Sequence, residues 1–342
     1  MRKEVVLITG ANGEIGHGLI PRLGIERKAQ ILALDLKALD DCLEPYCDRF
    51  IQGDILDKML LGRLIAEYEI TTIYHLASIL STKAEYNPET AHEINVEGTL
   101  NLLKLGAEIS QWQGYAIKFI YPSSIAVYGL PNLETKKKEG RLKEHQWCQP
   151  ITMYGCNKIY CEHLGRYYSK HYRQLAKDPI KNTIDFRCIR FPGLISADTI
   201  PTGGTSDYAA EMLHSAAKGE PYDCFVRKDS RIPFMVMPDA IKALLDLEKA
   251  ERKQLTKLCY NVTSYSTTAE EIEKIVSSAF PKARIGYRIH ENRQAIVDSW
   301  PEDLDDLPAR NDWGWAPEYD FKTSFYEYLI PSVKARYAAD NS

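Results

Sequence analysis

The stretch GANGEIG at residues 10–16 follows directly on an apolar run, Glu4 to Thr9, that predicts a buried strand. Each glycine has a mechanical task at a turn from strand to helix. Gly10 permits the tight turn, Gly13 lets backbone approach a phosphate, and Gly16 lets helix and strand pack closely. The first turn of the following helix offers N–H groups and partial positive charge to an anion. The segment therefore predicts a strand–turn–helix unit that binds a dinucleotide.

Asp35 ends the second predicted strand, 19 residues beyond Gly16. A carboxylate at this place accepts hydrogen bonds from the ribose hydroxyls of NAD and repels the 2′-phosphate of NADP, so NAD is the expected cofactor. A glycine triplet alone is a weak signal, and its position between a strand and a helix gives it weight. The other residues expected at the dinucleotide are Asn12, Ile15, Asp54, Ile55, Leu76 and Ala77, of which the last four also suit ordinary strand ends.

Short β-rich runs alternate with longer amphipathic segments up to about residue 192, which is typical of a parallel sheet with helices on both faces. The predicted strands are Glu4–Thr9, Gln30–Asp35, Arg49–Gln52, Thr71–Ala77, Ala116–Pro122 and Ile184–Phe191, and the clearest helices are Pro88–Ser110, Thr152–His171 and Ser206–Lys218. The expected fold is α/β, a Rossmann-type doubly wound parallel sheet over residues 1–192 with later returning elements at about 230–262. A smaller, mainly substrate-binding lobe is expected over residues 193–342.

A tyrosine and a lysine suited to proton transfer follow the fifth predicted strand. Tyr154 and Lys158 lie one helical turn apart on one face of a predicted helix, and Ser124 lies at the end of the fifth strand. About one such Tyr–Lys spacing is expected by chance among 21 tyrosines, so the context carries the argument. A phenol of pKa about 10 is a poor base near neutral pH unless a nearby ammonium stabilises the phenolate. We therefore expect Tyr154 as general base, Lys158 lowering its pKa, and Ser124 orienting a substrate hydroxyl.

Together with the glycine loop and the Tyr154/Lys158 pair, the segments 121–129 and 313–317 resemble the extended short-chain dehydrogenase/reductase superfamily. Members that dehydrate nucleotide sugars carry Thr-Asp-Glu before Val-Tyr-Gly, where this chain has Ser124-Ile125-Ala126. Without those carboxyl groups, dehydration has no evident acid and base. The cofactor site is also expected to include Asn95, Pro192, Leu194 and Lys158, the last touching the nicotinamide ribose.

Four longer segments, 121–127, 190–196, 203–209 and 298–301, resemble the short-chain type of L-threonine 3-dehydrogenases. The resemblance implies zinc-free, NAD-dependent oxidation of the β-hydroxyl of L-threonine to 2-amino-3-oxobutyrate. The implied substrate-site residues are Ser81, Ser123, Ser124, Tyr154, Gly193, Thr205, Ser206, Asp207 and Trp300. At the start of the predicted helix, Thr205 and Ser206 would receive the substrate carboxylate together with helix amides, and Asp207 would face the ammonium.

Two other functions stay open at this point. A nucleotide-sugar 4-epimerase with tightly bound NAD uses the same serine, tyrosine and lysine, and Arg227 and Arg231 would suit a uracil diphosphate. A non-catalytic, dinucleotide-sensing protein on the same fold is the second alternative, although such a protein has no need of Tyr154, Lys158 and Ser124 together. A dehydrogenase accumulates NADH, whereas a 4-epimerase recycles its hydride.

The charge balance, 43 basic against 47 acidic residues, gives a formal net charge of -4 and no basic arm, so neither nucleic acid nor a membrane is an expected partner. The first apolar run ends at Gly10, too early for a signal peptide, and the protein is expected to be cytoplasmic. Eight cysteines without a Cys-x-x-Cys pair predict reduced thiols and no metal site. A homodimer is expected of the superfamily. The charged stretches Glu134 to Trp147 and Ser169 to Asn182 are interpreted as solvated insertions or extended helix ends. The extra charged residues at Glu134 to Trp147 and Gln174 to Asn182 leave a monomer open.

Overall fold

A computed structural model describes residues 4–178, 180, 183–201 and 203–339 of the chain. Within these residues, a central sheet of seven parallel strands has the order β11-β7-β5-β4-β1-β2-β3. The strands are β1 Glu4–Thr9, β2 Gln30–Asp35, β3 Arg49–Gln52, β4 Glu69–His75, β5 Lys118–Ser124, β6 Arg141–Leu142, β7 Asp185–Phe191, β8 Gly193–Ile195, β9 Pro221–Cys224, β10 Arg231–Val236, β11 Cys259–Asn261, β12 Tyr265–Thr268, β13 Arg284–Tyr287 and β14 Asp303–Leu304. The sheet is the predicted Rossmann-type arrangement, with its topological switch between β1 and β4.

Helices cover both faces of the central sheet and build the second lobe. They are α1 Glu14–Glu26, α2 Lys58–Glu67, α3 Ser81–Tyr86, α4 Pro88–His92, α5 Gly98–Gln113, α6 Leu133–Glu139, α7 Met153–Lys170, α8 Tyr208–Lys218, α9 Met237–Lys249, α10 Ala269–Ala279, α11 Glu291–Ser299, α12 Leu307–Trp313, α13 Phe321–Thr323 and α14 Ile330–Ala339. Helices α2, α5 and α7 pack together on one face, and α1 packs with α9 on the other. Both faces of the sheet are therefore buried, as the near-continuous apolar strands predicted.

The predicted bounds of the first three strands match those of the structure, and the predicted bounds of the next two differ by about two residues. Strand β4 begins at Glu69 rather than Thr71, and β5 runs on to Ser124 rather than ending at Pro122. The predicted long helix from Pro88 continues through a π-helical segment, Glu93–Glu97, into α5. These shifts matter little to the fold, but the longer β5 carries Ser124 to the very edge of the sheet.

A second lobe lies beyond the carboxyl end of the sheet, and its strands β12, β10 and β8 form a smaller sheet. Its apolar core is continuous with Ile125, Ala126 and Val127, which follow β5, and includes Tyr208 and Phe234. The lobe is therefore packed directly against the segment that carries Ser124. Among the described residues, none of the helices combines the length and apolar character needed to cross a bilayer.

The interpretation of Glu134 to Trp147 as a solvated insertion is wrong. Helix α6 and strand β6 lie in this stretch, Leu142 is fully buried, and β6 pairs with β14. Lys136 is also buried, and its Nζ donates to the Val297 carbonyl at 3.0 Å. The many charged side chains of this segment favoured an exposed location. Its buried residues, Leu142 and Lys136, nevertheless pack into the second lobe. In the other charged stretch, residues 174–178 are exposed as expected, whereas 179, 181 and 182 lie outside the described residues.

Candidate active site

Two adjoining cavities open at the carboxyl edge of the central sheet, where open α/β sheets bind ligands. The first, of about 480 Å³, is lined by the glycine loop, Asp35, Asp54 and Ile55. The second, of about 210 Å³, is lined by Ser124, Tyr154 and Lys158 among others. The two share the lining residues Gly13, Glu14, Leu76, Ser78, Leu80 and Gly204, so a single elongated ligand can pass from one to the other.

The glycine loop has the close approaches that its spacing predicted. Gly10 has a φ of +71°, and a Cβ there would lie 2.6 Å from the Ala77 backbone nitrogen. A Cβ on Gly16 would overlap the Ala11 carbonyl. At Gly13 the only near atom would be the Gly10 carbonyl oxygen, at 3.2 Å, so the loop there faces open space. Backbone can therefore meet a ligand at the start of α1.

Asp35 lies at the end of β2 and faces the first cavity. Its Oδ2 accepts from the Asn12 N–H at 2.9 Å, and its Oδ1 accepts from the Lys37 N–H at 3.1 Å. The Asn12 side chain donates to the Ala38 carbonyl and accepts from the Asp40 N–H, which ties the glycine loop to the segment after β2. The carboxylate is thus held in a fixed position and retains lone pairs for two ribose hydroxyls. These residues fit a dinucleotide.

The first turn of α7 packs directly against the turn that follows β5. This contact brings together Tyr154, Lys158 and Ser124. The Thr152 hydroxyl caps α7 by accepting from the Gly155 N–H at 3.1 Å. A Cβ on Gly155 would overlap the Ala126 carbonyl, so only glycine allows this approach. The start of α7 thereby places Tyr154 beside Ser124 in the second cavity.

The hydrogen bonds of Lys158 and Ser124 differ in kind. The Lys158 ammonium donates to the Pro122 carbonyl at 2.7 Å and lies 5.4 Å from the centroid of the Tyr154 ring. Ser124 Oγ accepts from the Ala126 N–H at 3.2 Å, which leaves its own proton to donate to a ligand oxygen.

Burial perturbs both titratable groups of this trio. Desolvation lowers the pKa of the Lys158 ammonium to about 8 and raises the pKa of the Tyr154 phenol well above its usual range. A Tyr154 phenol with this raised pKa is protonated at neutral pH. Ionisation of Tyr154 needs added positive charge nearby, which Lys158 is placed to supply.

Beneath the cavity lies a buried ion pair, Glu162 with Arg190. The guanidinium donates from Nε and Nη2 to the two carboxylate oxygens at 2.9 and 2.6 Å. Ser123 donates to the same carboxylate at 2.6 Å. The Ser123 hydroxyl proton, predicted to meet substrate, is thus engaged below the cavity, whereas that of Ser124 is not.

Two of the predicted substrate-site residues, Ser81 and Thr205, meet although they lie on distant segments of the chain. The Ser81 hydroxyl accepts from the Thr205 N–H at 3.2 Å and lies 3.1 Å from the Thr205 hydroxyl, joining the start of α3 to the segment before α8. Helix α8 begins at Tyr208, two residues after the predicted start. Asp207 accepts from the Gly204 N–H at 2.6 Å and so closes a turn. Ser206 and Trp300 line the same cavity.

Most of the predicted site residues line the two cavities, and two do not. Besides those described, Ile15, Pro192 and Leu194 line the second cavity, and Ala77 lines the first. Asn95 is buried behind them, where it holds the segment after β4 through hydrogen bonds with Ser78 and Ile79. Gly193 lies under the Phe234 ring. No motif in the sequence pointed to several other residues that line the second cavity, among them Glu14, Ser78, Leu80, Ala126 and Phe191.

Comparisons with known proteins agree with this geometry. Residues 6–262 match the model of the NAD dependent epimerase/dehydratase family. Mitochondrial L-threonine 3-dehydrogenase of Bos taurus is 34% identical over 93% of this chain and 80% of its own. A monomeric L-threonine 3-dehydrogenase from a metagenome database, in apo form, has 36% identity and a TM-score of 0.85, over 97% of this chain and 99% of that chain.

The holo form of a GalE-like L-threonine dehydrogenase from Cupriavidus necator has 32% identity and a TM-score of 0.81, over 97% of this chain and 99% of that chain. Its likeness extends across the sheet and the second lobe alike. All eight cysteines of the present chain are free thiols. The chain belongs to the NAD dependent epimerase/dehydratase family, and is an extended short-chain dehydrogenase/reductase whose cofactor is a nicotinamide dinucleotide.

Proposed function

We propose that the protein oxidises the β-hydroxyl of L-threonine to 2-amino-3-oxobutyrate with NAD. The observation that carries the proposal is the second cavity, which brings Ser124, Tyr154 and Lys158 together with the hydroxyls of Ser81 and Thr205. A secondary alcohol beside a carboxylate suits these two groups of residues. The relatives named for threonine, which match almost the whole chain, support this choice of substrate.

In this mechanism Ser124 donates a hydrogen bond to the substrate hydroxyl oxygen and so holds that hydroxyl near Tyr154. Tyr154 accepts the hydroxyl proton as general base, and the Lys158 ammonium stabilises the phenolate that this requires. A bound NAD would supply the acceptor for the hydride that leaves the carbon carrying the hydroxyl. Thr205 and Ser206 receive the substrate carboxylate, Ser81 lies beside Thr205 at the same site, and Asp207 faces the substrate ammonium.

The cofactor in this proposal is NAD, because the fixed Asp35 carboxylate would repel a 2′-phosphate. The dinucleotide-binding part comprises residues 1–192 with the returning elements at about 230–262, and residues 193–342 mainly form the substrate-binding lobe. Gly13 and the adjoining first turn of α1, including Ile15, would bring backbone to the pyrophosphate, and Gly10 and Gly16 permit the turn and the packing that hold this backbone in place.

A screen for reduced cofactor tests the proposal. L-threonine, allo-threonine, serine and common nucleotide sugars are each offered with NAD or NADP, and absorbance of the reduced dinucleotide is followed. We expect NADH with L-threonine and little with NADP. Conversion of a nucleotide sugar without any net absorbance change would instead establish the epimerase.

The Tyr154→Phe variant tests the base. Loss of the phenol oxygen should lower kcat by about 10²–10⁴ while NAD binding, measured by fluorescence titration, stays unchanged. The Tyr160→Phe variant, at an exposed position on the same helix, is the matched control and should keep its turnover. A Tyr154→Phe protein with nearly full kcat would remove Tyr154 from the mechanism.

A further inference from the structure

Glu14 places a carboxyl group where the middle of a dinucleotide has to lie. It is the first residue of α1 and one of the residues shared by the two cavities. Asp35 lies in the first cavity, at the ribose end, and Tyr154 and Lys158 lie in the second, at the nicotinamide end. A dinucleotide that reaches both ends crosses the junction with its pyrophosphate, which carries two negative charges.

An ionised Glu14 would oppose this ligand in two ways. Its charge would lie beside the phosphates, and it would weaken the attraction of the N-terminus of α1 for an anion. Asp207, which lines the second cavity together with Glu14, already repels a negative charge on Glu14. Burial first and this repulsion second raise the pKa of Glu14 to about 7, against a smaller lowering effect of the Thr199 hydroxyl. A neutral carboxyl, in contrast, is a hydrogen-bond donor.

We propose that Glu14 binds the pyrophosphate in its protonated form, donating its carboxyl O–H to a phosphate oxygen, so that the protein takes up a proton from solvent as NAD binds. The inference rests on the dinucleotide binding of the proposed function and is independent of threonine. It makes Glu14 a cofactor-binding residue that sets the affinity for NAD according to pH.

Other charged groups around the junction are already engaged or lie towards its ends. The His17 ring lies on the next turn of α1, where it contacts the Gly13 carbonyl and the Asp40 carboxylate. Lys37 and Lys83 line the first cavity. The Arg293 guanidinium donates to the Gly204 carbonyl at 2.6 Å. Among the described residues, no cation forms an ion pair with Glu14.

The sign of the pH dependence follows from the raised pKa. Below about pH 7 the free protein carries a neutral Glu14 and binds NAD without a proton change. Above it the free protein has lost that proton, and binding must restore it, because the phosphates raise the pKa of Glu14 further. Affinity for NAD should therefore fall as the pH rises.

Calorimetric titration with NAD alone, in two buffers of different ionisation enthalpy, tests the inference. Between about pH 6.5 and about pH 8.5 we expect Kd to rise on the order of tenfold, with uptake of about one proton at the higher pH. Glu14→Gln keeps a neutral donor of the same shape. It should bind NAD on the order of tenfold more tightly than the wild type at about pH 8.5, without that uptake.

A second variant separates the charge effect from shape. Asp207→Asn removes the charge that faces Glu14 and should shift the midpoint of the pH dependence to lower pH. His17 and Lys158 are present in all three proteins, so differences among them isolate Glu14. Equal pH dependence in wild type and Glu14→Gln, or no proton uptake by the wild type, would overturn the inference. Failure of the wild type to bind NAD at any pH would overturn the proposed function with it.

Discussion

Helix α7 carries two buried charged side chains one turn apart, and their hydrogen-bond and ion-pair partners differ. Glu162 is paired with the Arg190 guanidinium through two hydrogen bonds and accepts a third from Ser123. Lys158 donates to the Pro122 carbonyl and lies 4.6 Å from the centroid of the Tyr121 ring, and the described residues give it no ion pair. One charge is satisfied within the protein, and the other is not.

The difference separates support from chemistry. A buried carboxylate that accepts three hydrogen bonds fixes α7 against β5 and β7, because Ser123 and Arg190 lie on those strands. A buried ammonium without a carboxylate partner keeps its charge for a neighbouring phenolate, and the protein bears the desolvation cost. Three predictions, ordered by their effect on stability, test this division.

Disruption of the ion pair between Glu162 and Arg190 should cause the largest loss of stability. Glu162→Ala leaves the Arg190 guanidinium buried without its carboxylate, and we expect the free energy of unfolding to fall by about 3–5 kcal/mol. Urea denaturation followed by circular dichroism measures it. Glu108→Ala, at an exposed position of α5, is the control and should cost less than about 0.5 kcal/mol. A loss as small as that of the control would show that the pair does not anchor α7.

Removing the unpaired charge should have the opposite sign. Lys158→Met should abolish turnover and yet raise the free energy of unfolding at neutral pH by on the order of 1 kcal/mol, part of the gain being offset by the unbonded Pro122 carbonyl. Because the folded-state pKa of about 8 lies below that of an unfolded lysine, the cost of charging Lys158 is full below about pH 8. It disappears as the pH rises towards about 10.4.

The stability advantage of Lys158→Met should therefore shrink between pH 7 and pH 10, which chemical denaturation at several pH values can follow. A variant less stable than the wild type at neutral pH would mean that the carbonyl and ring contacts outweigh the desolvation cost.

The smallest effect is expected at the two neighbouring serines, which fall on opposite sides of the division. Ser123→Ala removes one of three donors to Glu162 and should cost about 1 kcal/mol of stability. Ser124→Ala removes the donor to the substrate and should lower kcat/KM by about tenfold or more with little change in stability. Thermal unfolding and NADH formation are measured on both variants. If Ser123→Ala lost more turnover than Ser124→Ala, the two roles would have to be exchanged.

The main chain was easier to predict than the surroundings of the site. Strands buried on both faces have nearly continuous apolar sequences, and for β1 and β2 this pattern predicted the bounds to the residue. Backbone approaches at Gly10 and Gly16 follow from steric needs that only glycine meets. Local chemistry of this kind leaves a signal in the sequence itself.

Contacts between distant segments left no such signal. The glycine motif specifies only Gly10, Gly13 and Gly16, and it leaves the residues between them undefined. It therefore assigned no role to the Glu14 side chain. Glu162 and Arg190 are 28 residues apart and meet only because α7 lies over β7. Asn95 was expected to contact the cofactor, but its side chain bonds the Ile79 backbone after β4, a contact that the sequence does not reveal. Such roles depend on packing, which a single sequence does not display.

The edge strand β11 has a consequence for how the chain is made. It pairs with β7, but β8, β9 and β10 are synthesised between them. While a ribosome produces that stretch, the outer edge of β7 presents unpaired N–H and C=O groups, a template for association with another chain. Completion of the nucleotide-binding sheet thus waits for most of the second lobe. A shortened chain ending near residue 192 should be prone to aggregate rather than form a smaller working unit.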